Sequence, residues 1–147
     1  MLALDNTPVH LPGFYHMIAS CVKDEEKLTT IFRTGKGFGW HEHEKGLFEG
    51  CERFFRPGYL ANLTTNWIPA LDGVEAKLRA GGKVADVGCG PGASTILMAQ
   101  AYPKSRFFGF DYHAASIEQA KLKAEAAGVS DRVSFEVAPA KSYPGKD

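Results

Sequence analysis

Hydrophobic positions follow one rhythm in the first part of the chain and another after Gly81. Phe14, Met17, Ile18 and Cys21 recur at helical spacing, which puts them on one face of a short helix and predicts that this face packs inward. Asp24 opens a second helix, with Leu28, Ile31 and Phe32 as its apolar stripe before the glycine-rich stretch from Gly35 to Gly39. A third helix is expected from about Tyr59 to Leu78, interrupted near Pro69, with Leu60, Leu63, Trp67, Ile68, Leu71, Val74 and Leu78 turned to the core. Pro12-Gly13 and Pro57-Gly58 read as punctuation between these elements.

Beyond Gly81 short apolar runs alternate with amphipathic stretches. Lys83 to Val87, Arg106 to Phe110 and Val133 to Val137 read as strands, and Ala93 to Ala101 and Ala115 to Ala127 as helices. Strands alternating with helices in this order predict an α/β fold with a parallel sheet and right-handed crossovers. Gly81-Gly82 and Gly128 stand where helix C-caps belong, and Pro103 lies just past the first of the two later helices. Two regions are therefore expected: residues 1–80, a helical N-terminal segment serving as linker, lid and substrate-side helices, and residues 81–147, a ligand-binding α/β region.

Composition narrows the partners more than the fold. The 147 residues carry 17 basic and 17 acidic side chains, so the basic stripe that phosphate-backbone binding needs is missing and nucleic acid is not favoured. Cys21, Cys51 and Cys89 form no CxxC pair and are odd in number, which argues against a disulfide framework and a zinc knuckle. Met1 to His10 lacks a basic start followed by an apolar run, and no stretch approaches the ~18 apolar residues of a membrane span. A soluble, cytoplasmic protein is expected.

Candidate chemistry concentrates in Val84-Ala85-Asp86-Val87-Gly88-Cys89-Gly90-Pro91-Gly92-Ala93-Ser94. A strand must turn sharply into a helix here, and glycines at 88, 90 and 92 remove the Cβ atoms that would block the turn and the approach of a ligand. Asp111 follows the next strand about 20 residues beyond the loop, where a carboxylate can accept hydrogen bonds from both hydroxyls of a ribose. Gly88-x-Gly90-x-x-Ala93 also fits a dinucleotide fingerprint, which leaves a nicotinamide oxidoreductase open as an alternative. Asp86, two residues before the first glycine, would repel a pyrophosphate and attract the α-ammonium of a methionine moiety, which favours S-adenosylmethionine (SAM).

These segments resemble the class I SAM-dependent methyltransferases. Asp86-Val87-Gly88-Cys89-Gly90-Pro91-Gly92 matches their first motif and Gly109-Phe110-Asp111-Tyr112 their second, over Gly82 to about Tyr143. The resemblance implies a Rossmann-like fold in which the loop surrounds the methionine part of SAM, Asp111 holds the ribose and Tyr112 packs on the adenine. Earlier stretches, Gly39-Trp40-His41-Glu42-His43 and Arg53 to Tyr59, look like a bacterial subgroup with a winged-helix domain ahead of the catalytic one. One departure concerns the third strand, after which the family usually places an acid for the adenine amine. Here Val137-Ala138-Pro139-Ala140 offers none, leaving backbone groups around Ala138 and Pro139 to frame the adenine edge with weakened affinity. The family's sheet has more strands than the three read here, so the chain is expected to be the N-terminal half of the domain, with an open edge on its first strand prone to self-association.

The cofactor site therefore comprises Asp86, Gly88, Cys89, Gly90, Gly92, Asp111, Tyr112, Ala138 and Pro139, with no metal and no assigned catalytic residue. His41 and His43 are spaced by two, which does not share a helix face, and no further ligand completes a metal site; a place in a lid or acceptor pocket with Trp40 suits them better. Cys89 is read as a small residue touching the ligand, since methyl transfer by direct displacement needs positioning and no enzyme nucleophile. The expected activity is methyl transfer from SAM to a small-molecule acceptor, the alternative a non-catalytic binding or regulatory module.

Overall fold

A computed structural model describes residues 11–145; the reading of Met1 to His10 as no secretory signal lies outside them. The chain divides into two units, Met1–Gly58 and Tyr59–Asp147.

In the first unit, helix α1 (Leu11–Lys23) meets α2 (Glu25–Thr34) at a tight turn, a 3₁₀ turn spans Trp40–Glu42, and α3 (Lys45–Asn62) begins. The apolar stripe expected to face inward on α1 does not do so. Phe14 and Ile18 are exposed, as is Cys21, while Gly13 and Ser20 are the buried positions. Close helix approach explains the difference. A Cβ on Gly50 would stand 2.7 Å from the Met17 backbone nitrogen, and one on Gly46 2.6 Å from Ser20 Oγ, so α1 and α3 touch backbone to backbone through their small residues. Phe32 is 87% exposed, so the end of the α2 stripe also stays open. Asp24, one per cent exposed, knots the unit together: its carboxylate accepts from His43 Nδ1 at 2.9 Å, the Glu44 N–H at 3.0 Å and Lys27 Nζ at 3.1 Å.

Pro57-Gly58 is not a break. Helix α3 runs through it to Asn62, forgoing the one N–H that proline lacks, with Pro57 buried. The expected helix from Tyr59 to Leu78 is instead the end of α3, a π turn over Leu63–Trp67 and a short α4 (Val74–Ala80). The Ile68 N–H donates to the Leu63 carbonyl at 3.0 Å, one residue farther than in an α-helix. That extra residue turns the following positions by about 100°. It brings Ile68 into the core and leaves Leu71 exposed; Trp67 within the turn and Leu60 ahead of it are exposed as well, against expectation.

The second unit continues with β1 (Lys83–Val87), α5 (Ala93–Ala101), β2 (Arg106–Asp111), α6 (Ala114–Ala126) and β3 (Val133–Val137). All strand pairing is parallel in the order β1-β2-β3, with Val87 opposite Phe110 and Asp111 opposite Val137. This is a partial Rossmann-like fold: the periodicity predicted its parallel α/β order, and the resemblance its class. Because successive strand residues alternate faces, Phe107, Val133 and Phe135 meet Ile96, Ala99, Ile117, Ala120 and Ala124 of the two helices in one core. Phe110 belongs to the other face, where the Tyr143 ring packs on it at 5.3 Å. Ser105 secures the entry to the sheet, accepting from the Gly82 N–H at 2.9 Å and donating to the Leu78 carbonyl at 2.6 Å. Among the described residues no helix is long and apolar enough to cross a membrane.

Candidate functional site

The carboxyl ends of the three strands converge on one loop. Gly88, Gly90 and Gly92 adopt φ values of +83°, +52° and +79°, a region that side chains other than glycine rarely enter. Gly92 is also closed in: a Cβ there would lie 2.7 Å from Phe135 Cζ and 3.0 Å from Ala120 Cβ. Gly109 leaves room for the same ring, since a Cβ on it would collide with Phe135 and approach Cys89 Sγ to 3.0 Å. The loop is thus seated on β2 and β3 by contacts that tolerate no larger residue.

Its N–H groups turn inward. Gly88 and Cys89 donate to the Phe110 carbonyl at 2.7 and 3.1 Å, Gly90 donates to Asp111 Oδ2 at 3.0 Å, and Gly92 donates to the Cys89 carbonyl at 3.0 Å. Pro91 has none to give. Asp111 Oδ1 accepts from the His113 N–H at 2.8 Å, so the carboxylate is oriented by both flanks while each oxygen keeps a free lone pair. Asp86 Oδ2 accepts from Ser94 Oγ at 2.9 Å and Thr95 Oγ1 at 2.6 Å. Neither hydroxyl was singled out in the sequence; the available signal was a Ser-Thr pair in the first turn of the helix that the loop opens.

The electrostatics carry one sign. Burial pushes the Cys89 thiol up to about 12, and the nearby carboxylates of Asp86 and Asp111 push in the same direction. Cys89 is therefore a neutral thiol, 7% exposed, inside a negative field. Tyr112 is half exposed beside Asp111. At the end of β3 the Ala138 N–H donates to the Asp111 carbonyl at 3.0 Å, and the Pro139 carbonyl accepts from the Ser142 N–H at 3.0 Å. Those two backbone groups are already engaged within the fold, which leaves the carbonyl of Ala138 and the groups of Ala140 at that edge.

Among the residues singled out earlier, His43 belongs to the Asp24 knot of the first unit, with the Phe38 and Trp40 rings 4.3 and 5.5 Å from its own. No group of three or more His, Cys, Asp or Glu side chains suited to a metal ion occurs among the described residues.

A parallel sheet with a glycine loop at its carboxyl edge and an acid ending the neighbouring strand defines the Rossmann-like nucleotide-binding class. Residues 78–147 match the family described as a methyltransferase domain. Over 61 residues the chain is 34% identical to a trans-aconitate 2-methyltransferase of Streptomyces coelicolor, covering 42% of this chain and 20% of that protein. A protein of the same name from Rhodopseudomonas palustris is 48% identical over 42 residues, covering 29% of this chain and 16% of its own length. The chain thus spans about a fifth of the length of these curated relatives. In fold it is similar to a geranyl diphosphate methyltransferase solved in complex with SAM, at a TM-score of 0.50 and 22% identity, over 69% of this chain and 38% of that one.

Proposed function

We propose that this chain supplies the cofactor-binding part of a methyltransferase that moves a methyl group from SAM to a small-molecule acceptor. The observation that carries the reading is the loop from Gly88 to Gly92, whose N–H groups are spent on Phe110, Asp111 and Cys89 while two carboxylates set its field. A pyrophosphate needs outward N–H donors and is repelled by that field, whereas a ligand bearing an ammonium and a sulfonium is attracted by it. This physical fit supports SAM over a dinucleotide.

When bound, SAM supplies a methyl group already activated on a positively charged sulfur. The chain's own residues then bind and orient. Asp111 accepts from the ribose hydroxyls, its carboxylate held in advance by the Gly90 and His113 N–H groups. Asp86, Gly88, Cys89, Gly90 and Gly92 surround the methionine part, Tyr112 packs on the adenine, and the backbone around Ala138 and Pro139 frames the adenine edge.

Calorimetric titration of the chain with S-adenosylhomocysteine tests this. Micromolar binding is expected, weakened at least about tenfold in Asp111→Ala through loss of a charge-assisted pair of hydrogen bonds. Folded protein that binds no ligand, or binding indifferent to Asp111, would reject the assignment. A second reading, a non-catalytic binding module, is favoured by the engaged backbone at Ala138 and Pro139. Turnover of labelled SAM with a panel of acceptors separates the two, since a binding module gives none.

A further inference from the structure

We propose that Thr95, with Ser94, is a positioning residue that sets Asp86 to receive the α-ammonium of the cofactor's methionine end. The proposal rests on the SAM reading above and extends it to residues that touch no ligand themselves.

Both hydroxyls converge on one oxygen. Thr95 Oγ1 at 2.6 Å and Ser94 Oγ at 2.9 Å donate to Asp86 Oδ2, and Oδ1 receives no hydrogen bond among the described residues. A carboxylate held at one oxygen by two donors from a rigid helix turn loses its freedom to rotate and presents the other oxygen in one orientation. Thr95 is the stronger anchor: it is fully buried, its β-branched side chain is stiff about χ1, and its bond is the shorter. Asp86 also lies near enough to raise the Cys89 thiol, which places its charge on the loop itself. A buried threonine satisfied by any nearby acceptor would be a purely structural arrangement, and the two roles differ in which ligands they affect.

The experiment compares S-adenosylhomocysteine with 5′-methylthioadenosine, which shares the adenosine and thioether but lacks the amino-acid end. Thr95→Val is expected to weaken the first about tenfold, the scale of one charge-assisted hydrogen bond, and to leave the second unchanged. Thr95→Ser restores the wild-type ratio, and Ser94→Ala, at a half-buried position where the smaller side chain fits, shifts the ratio in the same direction by less. Equal weakening of both ligands, or no change for either, would overturn the proposal and leave the cofactor reading intact. Wild-type protein that binds neither ligand would overturn both.

Discussion

At the scale of single residues, Gly92 is the position where the loop has least freedom. Its φ of +79° and the 2.7 Å approach of Phe135 Cζ to any added Cβ act together. Left-handed backbone costs about 1–2 kcal/mol for an alanine and overpacking about 1–3 kcal/mol, so Gly92→Ala is expected to destabilise the protein by roughly 2–5 kcal/mol. Denaturant unfolding measures this, and an unchanged midpoint would mean that Phe135 moves aside at little cost. Cys89 provides a chemical reading of the same loop. Its thiol value of about 12 and its burial predict that iodoacetamide at pH 8 modifies exposed Cys21 well before Cys89 in the folded protein, as peptide mapping would show. Early labelling of Cys89 would contradict the negative field assigned to the loop. The loop glycines were legible because a sharp strand-to-helix turn dictates residue type, and all three adopt positive φ. Ser94 and Thr95 were not, since serine and threonine near a helix start are common and only folding shows what they reach.

At the scale of elements, the α1–α2 junction depends on Asp24. The Glu44 N–H foremost, then the His43 and Lys27 side chains, hold its carboxyl at about 2, below the ordinary 3.8, against the opposing effect of burial. Because the folded value is depressed, the stability these bonds contribute is complete above about pH 4 and is lost as pH falls toward 2. Thermal melts followed by circular dichroism should therefore fall more steeply between those pH values in wild type than in Asp24→Asn, which is already less stable at neutral pH. Equal slopes would place the acid sensitivity elsewhere. Sequence reading identified Asp24 as a helix start and His43 as a chemical candidate, yet it did not connect them, because 19 residues separate them and no local rule spans that distance. The helix through Pro57 escaped for a related reason: the local breaker signal was outweighed by burial of the proline itself.

At the scale of the whole molecule, the sheet's edge matters most. Among the described residues β1 pairs with β2 alone, and its outer backbone is flanked by exposed Ala85 and Val87. An unpaired, apolar strand edge is a template for another chain. We expect the 147-residue chain to self-associate at tens of micromolar in sedimentation, and Ala85→Lys to shift it toward monomer by charging that edge. A wild-type monomer over that range would show that the edge is protected.

The sequence by itself determined the part of the second unit after Gly81: the strands β1 to β3, helices α5 and α6, their parallel pairing, the loop at residues 88–92 and the acid at Asp111. Each follows from a rule that acts within a few residues, namely side-chain periodicity, glycine at a forced turn, or an acid at the end of a strand. Tertiary structure alone decided which face of α1 is buried, where the π turn shifts the register before Ile68, that the loop's N–H groups turn inward, and that Asp86 is held by two hydroxyls. Those outcomes depend on which distant segment comes alongside and how closely, and a helix will bury small residues such as Gly13 and Ser20 in place of an apolar stripe when the backbone of a neighbour fits against them.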